Sequence, residues 1–338
     1  MCGVSLSVVR SPLQLFNCIE ANKRFSSDDK KIVLVLYRKD VDKRLMDSVL
    51  ADCDNFFNEI IRCDIRSNIK QIKLVLLLLK KYKKINMCFV GDTTRIVNIA
   101  LNSLDAIKFF KVDDGASTFF AAKWVASKSY KVLNRHQEPI PRLLQMFNDA
   151  LRLNPDFSEK MSFFTIYTGI QEYAESIEVV HNDYRFLKQC ISELPVRDEI
   201  FLIGSDIRRY ILNDPNDFEK YIAAVAQYYN GRKINYIMHR KENENDEQRE
   251  YYQYINEKYG IHFVIFDRIL EQQILHQGWI PCEVATFFSS AIDTLVAIYN
   301  PKATVFKLIP EDVREKSRFA LGEMHRHYAS MNVNIVDI

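Results

Sequence analysis

No long hydrophobic run interrupts this chain. Its most apolar stretch, Leu74–Leu79, is far shorter than the about 20 residues a bilayer-crossing helix needs. The beginning, MCGVSLSVVRSPLQLF, carries Arg10 and Pro12 where an export signal requires an unbroken apolar core. The seven cysteines (2, 18, 53, 63, 88, 190 and 282) are scattered and never spaced as CxxC. That excludes a disulfide framework and a zinc site and points to a reducing compartment, so a cytoplasmic location is expected. Neither sign of charge dominates: 46 Lys and Arg face 44 Asp and Glu, without the basic excess of a nucleic-acid binder. No G-x-G-x-x-G follows the first strand-like segment and no Walker loop occurs, which argues against a dinucleotide dehydrogenase or a P-loop enzyme. Internal repeats are missing, and the charged Lys241–Glu250 reads as a solvated helix start.

What is present is a rhythm. At 338 residues the chain exceeds the usual single-domain size. Short β-rich runs alternate with helical patterns: Val4–Arg10, Lys31–Tyr37, Glu59–Asp64, Ile85–Val90 and Ala106–Val112 as strands, with helices at Leu13–Asn22, Val41–Cys53, Asn68–Tyr82 and Arg95–Ser103 between them. KIVLVLY is almost continuously apolar, as a strand covered on both faces should be. Residues 116–160 lose the rhythm, and Met161–Tyr167 reads as the last strand of a first domain. Strands return at Glu199–Ile203, Lys233–Met238, Ile261–Phe266, Thr304–Leu308 and Val333–Val336. Helices read at Pro215–Asn230, Asp246–Tyr259, Ile269–His276, Ser290–Tyr299 and Glu311–Ser330. The expectation is two Rossmann-like α/β domains with parallel sheets, 1–180 and 181–338, joined somewhere in 175–198.

In such sheets, ligands bind beyond the carboxyl ends of the strands. Four polar clusters fall there: Asp113-Asp114-Gly115, Gly204-Ser205-Asp206, His239-Arg240 and Phe288-Ser289-Ser290. Each by itself also suits a plain turn, with His239 closing its strand and Ser290 serving as an N-cap. Together they carry the groups that transfer of a sugar from a nucleotide donor requires. Asp206 or Asp113 can take the proton of the attacking hydroxyl. His239 can donate to the leaving phosphate, and Ser289 and Ser290 open a helix whose N–H groups suit an anion. Pro281 and Glu283 stand just before that helix, where Glu283 could hold ribose hydroxyls or cap the next segment. Trp124 and Trp279 read as packing or as sugar-stacking rings. His325 and His327 lie on different faces of one helix and do not share a ligand.

The order D-D-G, G-S-D, H-[P/R]-x-x-[E/Q] and F-F-S-[S/G]-A resembles that of the bacterial lipooligosaccharide sialyltransferases of glycosyltransferase family 52. Ser11-Pro12-Leu13-Gln14, followed by Asn17 and Glu20-Ala21, is similar to that family's opening. The resemblance implies a GT-B fold, two Rossmann-like domains facing each other across a cleft, with the acceptor on the N-terminal domain and the donor on the C-terminal one. It implies an inverting, metal-independent transfer of sialic acid from CMP-sialic acid to a galactose-terminated acceptor of a surface glycan. Asp206 resembles the base and His239 the general acid, with Asp113 of the D-D-G motif competing for the first role. Gly204, Ser205, Arg240, Glu283, Ser289 and Ser290 fall on the donor side; Ser11, Gln14, Asp114 and Gly115 are acceptor-side or structural. Arg240 departs from the family's proline and could bind phosphate or the sialic carboxylate; the Gly-Ser-Asp turn lacks a proline before its Asp. The resemblance also raises a homodimer. Other readings are a GT-B transferase with a different activated sugar and a non-catalytic nucleotide-sugar-binding subunit. Lys80, Lys81, Lys83 and Lys84 either suit the C-terminal dipole of their helix or form a patch for an anionic lipid surface at the inner membrane.

Overall fold

The computed structural model describes residues 3–53, 55–82, 84–92, 94–115, 117–126, 161–173, 177–191, 194–239, 242, 246–331 and 333–338. The chain divides into two compact units, Met1–Phe186 and Leu187–Ile338.

The first unit is built on strands β1 (Val4–Val9), β2 (Lys30–Tyr37), β3 (Glu59–Asp64), β4 (Lys84–Val90), β5 (Asp105–Val112), β6 (Met161–Thr165) and β7 (Val179–His181). They form one sheet in the order β3-β2-β1-β4-β5-β6-β7, parallel throughout. The apolar run of β2 lies inside the sheet, between β3 and β1, with Ile32 to Leu36 wholly buried. Burial of each such side chain stabilises the fold by about 1.5–3 kcal/mol, which is why a continuous rather than alternating pattern marks a strand covered on both faces. The chain moves outward from β1 in both directions, so the sheet has its switch point between β1 and β4.

The second unit repeats the plan with β8 (Val196–Ile203), β9 (Ile234–Ile237), β10 (Ile261–Val264), β11 (Ile280–Thr286), β12 (Lys302–Lys307) and β13 (Asn334–Asp337). The order is β10-β9-β8-β11-β12-β13, again all parallel, with the switch point between β8 and β11. Each unit has its own apolar core.

Two strands depart from the sequence expectation. Met161–Thr165 does not end the first sheet, since the three residues of β7 pair with it at the edge. The central strand β11 was not expected at all, because Pro281 breaks its pattern. The structure tolerates the missing N–H through a register shift against β8 between Pro281 and Glu283. Helix starts at Pro215 and Glu311 are single 3₁₀ turns, leading to the helices Phe218–Tyr229 and Glu315–Ser330. Of the segment 116–160, the structure describes the helix Ser117–Ala126; Pro139, Pro141 and Pro155 lie outside the described residues.

Candidate active site

At the carboxyl end of β1, Ser11 caps the helix Pro12–Phe25: its hydroxyl accepts the Gln14 N–H at 3.3 Å, and Pro12 takes the position whose N–H would be orphaned anyway. Gln14 turns back so that its Oε1 accepts the Arg10 N–H at 2.7 Å, a variant of the capping box. Gly91 closes β4 against this side chain; a Cβ there would stand 2.6 Å from Gln14. The Arg10 guanidinium meets Asp92 at 2.7 Å across the switch point.

Asp113, Asp114 and Gly115 follow β5, with Gly115 in the left-handed region at φ 59°. Asp113 is buried. One carboxylate oxygen accepts the Ile166 N–H at 2.8 Å, while the other is enclosed without a hydrogen-bond partner. Burial pushes its pKa up to about 6, and the nearby Thr165 and Thr118 hydroxyls, the Ile166 N–H and the Lys111 ammonium offset only part of that cost. Lys111 is itself buried and donates to the carbonyls of Gly91 and Val112, tying the ends of β4 and β5 together. Asp114 lies 3.5 Å from the Ser11 hydroxyl and accepts from Ser117 at 3.1 Å. Asn17 donates to the Asp113 carbonyl at 3.1 Å and accepts the Tyr184 hydroxyl at 2.6 Å, and Glu20 accepts the Phe186 N–H. The first unit thus gathers Ser11, Gln14, Asp113, Asp114 and Gly115 at one end of its sheet. Arg10, Asp92, Asn17 and Lys111 join them, and no local pattern had marked Lys111.

In the second unit, Gly204, Ser205 and Asp206 follow β8, and His239 follows β9. The two turns touch through Glu242. Its carboxylate accepts the His239 N–H at 2.6 Å, the Tyr236 hydroxyl at 2.7 Å and the Tyr252 hydroxyl at 3.2 Å. Gly204 packs so closely on it that a Cβ would lie 2.5 Å from Glu242 Oε2 and 2.9 Å from the Ile237 carbonyl. Desolvation raises the Glu242 pKa to about 7, with the negative Asp206 adding to the rise. Glu242 stands three residues after His239, one place before the [E/Q] position of the H-[P/R]-x-x-[E/Q] pattern, which Asn243 occupies, so the pattern did not single it out as the brace of the histidine turn.

Asp206 is buried and sits at φ 54°, a left-handed conformation that a short polar side chain tolerates. Both of its oxygens are taken by Arg209: Nε lies 3.0 and 3.1 Å from them, and Nη2 donates to Oδ2 at 2.6 Å. The Ser205 hydroxyl is enclosed with no hydrogen-bond partner among the described residues.

Beyond β11, Phe287 is buried and Ser289 and Ser290 lead into the helix Ala291–Tyr299. The Ser289 hydroxyl accepts the Ala291 N–H at 3.4 Å, and its carbonyl accepts the Tyr328 hydroxyl at 2.9 Å. Ser290 occupies the cap position, yet its side chain makes no cap hydrogen bond. Asp293, a carboxylate that would repel an anion from this helix start, is buried, with His327 Nε2 3.3 Å from its Oδ1. The turns after β9, β8 and β11 therefore stand on three adjacent strand ends at the switch point.

Glu283 takes no part in that group. It faces the start of β12, pairing in register with Lys302 and Ile200, three residues back from the carboxyl end of its own strand. Tyr229 donates to it at 2.8 Å and Thr304 at 2.6 Å, with Arg232 and Lys302 each at 3.2 Å. Burial opposes its charge, but these donors hold its pKa below the usual range. Its four partners lie at the opposite end of the strand from the turns above. Trp279 stands at the same remote end, edge-on to Phe201 at 5.5 Å and under the Arg197 guanidinium at 4.8 Å, so its role is packing. Arg240 and the Trp124 side chain lie outside the described residues.

Neither a family model nor a curated protein sequence matches the chain. Solved structures do. Glycyrrhiza uralensis UGT73P12, complexed with glycyrrhetinic acid 3-O-monoglucuronide, is similar over 100% of this chain and 81% of its own at 10% identity, with a TM-score of 0.55. The GT-B domain of a Photobacterium damselae sialyltransferase matches 99% of this chain and 100% of its own at 11% identity and 0.50. A UDP-N-acetylglucosamine 2-epimerase from Rickettsia bellii matches 94% and 81% at 12% identity and 0.50. With two parallel-sheet α/β units and these full-length likenesses, the chain has the GT-B fold. The relatives differ in activity, so the likeness defines architecture alone.

Proposed function

We propose that this protein is a glycosyltransferase of the GT-B class that transfers sialic acid from CMP-sialic acid to a galactoside. The observation that carries the reading is the convergence of Gly204–Asp206, His239–Glu242 and Phe287–Ser290 on three neighbouring strand ends of the second unit. The donor choice comes from the motif resemblance.

In this mechanism the acceptor hydroxyl oxygen bonds to the anomeric carbon while the bond from that carbon to the phosphate oxygen breaks. His239 hydrogen-bonds or protonates the departing CMP oxygen, and the N-terminus of the serine helix with the Ser289 and Ser290 hydroxyls receives phosphate charge. Proton removal is proposed to fall to Asp206 or Asp113. A base needs an available lone pair and a proton affinity near the working pH. Burial raises the Asp113 pKa to about 6 but also encloses its unpartnered oxygen, and Arg209 occupies both oxygens of Asp206. The reaction is proposed to need no metal, as the motif resemblance implies.

The deciding experiment incubates the purified protein with CMP-sialic acid, with and without lactose, and follows CMP release. Release that depends on lactose supports the proposal. Binding of CMP-sialic acid without release points to a non-catalytic binding protein, and indifference to this donor points to another activated sugar.

A further inference from the structure

The helix Asn68–Lys81 covers one face of the first sheet through Gln71, Leu74, Val75 and Leu78. Its opposite face is unusual for a helix facing solvent. Ile69 is 68% exposed, Leu76 45% and Leu77 42%, and Lys73 and Lys80 are exposed beside them. These positions recur at i, i+4, i+7, i+8 and i+11, so the three apolar and two basic side chains form one stripe. Lys70, Lys81 and Lys84 are also exposed, and the helix contains no Asp or Glu. Lys70 approaches Asp64 at 3.6 Å and Lys81 pairs with Glu59, but Lys73 and Lys80 have no ion pair among the described residues.

Exposed leucines and isoleucine flanked by unpaired lysines are the pattern of a helix that lies in a lipid–water interface: the apolar side chains enter the acyl boundary while the ammonium groups reach the headgroups. We propose that the exposed face of helix Asn68–Lys81 docks this protein on an anionic lipid bilayer. Charge complementarity selects this occupant. A second copy packed on the same face by two-fold symmetry would set its lysines against the lysines of the first, with no acid on either helix to offset them. Among the described residues no helix is long and apolar enough to cross a membrane, so the contact is peripheral. It is independent of the catalytic reading, because none of its residues belongs to the site.

The test is sedimentation of the purified full-length protein with phosphatidylcholine vesicles, with and without phosphatidylglycerol. Binding is expected only with the anionic lipid and is expected to weaken as salt rises. The variants Lys73→Gln and Lys80→Gln should each weaken it about fivefold, and together about 25-fold. The variant Leu76→Ser/Leu77→Ser should weaken it about tenfold, with the protein still folded and its unfolding transition lowered only modestly, since both side chains are partly exposed. Equal sedimentation with neutral and anionic vesicles, no sedimentation with either, or indifference to the lysine variants would overturn the proposal. So would a dimer of the wild-type protein, seen by light scattering, that the leucine variant dissolves.

Discussion

His239 is held through its main chain by Glu242, whose buried carboxylate accepts the histidine N–H at 2.6 Å while Tyr236 and Tyr252 donate to the same side chain. The imidazole turn is thereby fixed to the strand beneath it and to the Gly204 turn beside it. Rigidity of this kind is what a group acting on a leaving phosphate needs, since misplacement by an ångström can cost a large part of the rate.

Gly204 is the point where the two turns meet, and it has no room for a side chain. In Gly204→Ala the new methyl would collide with Glu242 and with the Ile237 carbonyl, of which only the carboxylate can move. Chemical denaturation should show a loss of about 1–3 kcal/mol. An unaffected midpoint would mean that the two turns are not packed as described.

Asp113 and Asp206 should respond differently to amidation. For whichever of them is the base, the Asn variant is expected to lower kcat by about 10²- to 10⁴-fold while CMP binding persists. Asp206→Asn should in addition leave Arg209 short of its charged partner and lower stability by about 1–3 kcal/mol. Titration calorimetry with CMP alongside turnover and urea melts distinguishes them: a rate collapse confined to one variant assigns the base, and normal turnover in both would remove the pair from the mechanism.

The pH dependence of stability follows from Glu242. Its folded pKa, raised to about 7 chiefly by desolvation, lies above the ordinary glutamate value in the unfolded chain. Between those two values the folded state binds the extra proton, so its stabilising contribution is complete at low pH and is lost as pH rises toward 7. The change amounts to about 3 kcal/mol across that window. Asp113, raised to about 6, contributes in the same direction. Glu242→Gln should flatten the decline in urea melts recorded from acid to neutral pH, and a parallel slope in both proteins would contradict this origin.

Glu283 provides the contrast. Glu283→Ala removes the common acceptor of Tyr229, Thr304, Arg232 and Lys302. It should cost about 3–5 kcal/mol, the range for breaking a buried charged network. Donor KM should stay near the wild-type value if the remaining folded protein is assayed, because the residue lies away from the strand ends that carry the site.

Much of this molecule was legible in local pattern. KIVLVLY can only be comfortable between two apolar layers, and Ser11-Pro12 before a helical period announces a capped helix whatever surrounds it. Alternation of such segments was enough for two parallel α/β units and for the rule that places function at strand ends. The D-D-G, G-S-D and F-F-S-S-A motifs, and His239, fell where that rule expects them.

Tertiary structure decided the rest. Pro281 concealed the central strand β11, because a proline is unfavourable in a ladder until a neighbouring strand shifts register to accept it. Three residues of β7 carry too short a pattern to be read, and only the edge of β6 makes them a strand. Glu283 read equally as a ribose-holding or a structural carboxylate, and its partners Tyr229, Arg232, Lys302 and Thr304 became visible only in the fold. Even Arg209, three residues beyond Asp206, binds both carboxylate oxygens only because the short turn between them bends the two side chains together. Backbone preference and apolar period are properties of neighbouring residues and can be read in order. The charge state and partners of a buried carboxylate depend on groups tens of residues away, and the folded chain alone brings those together.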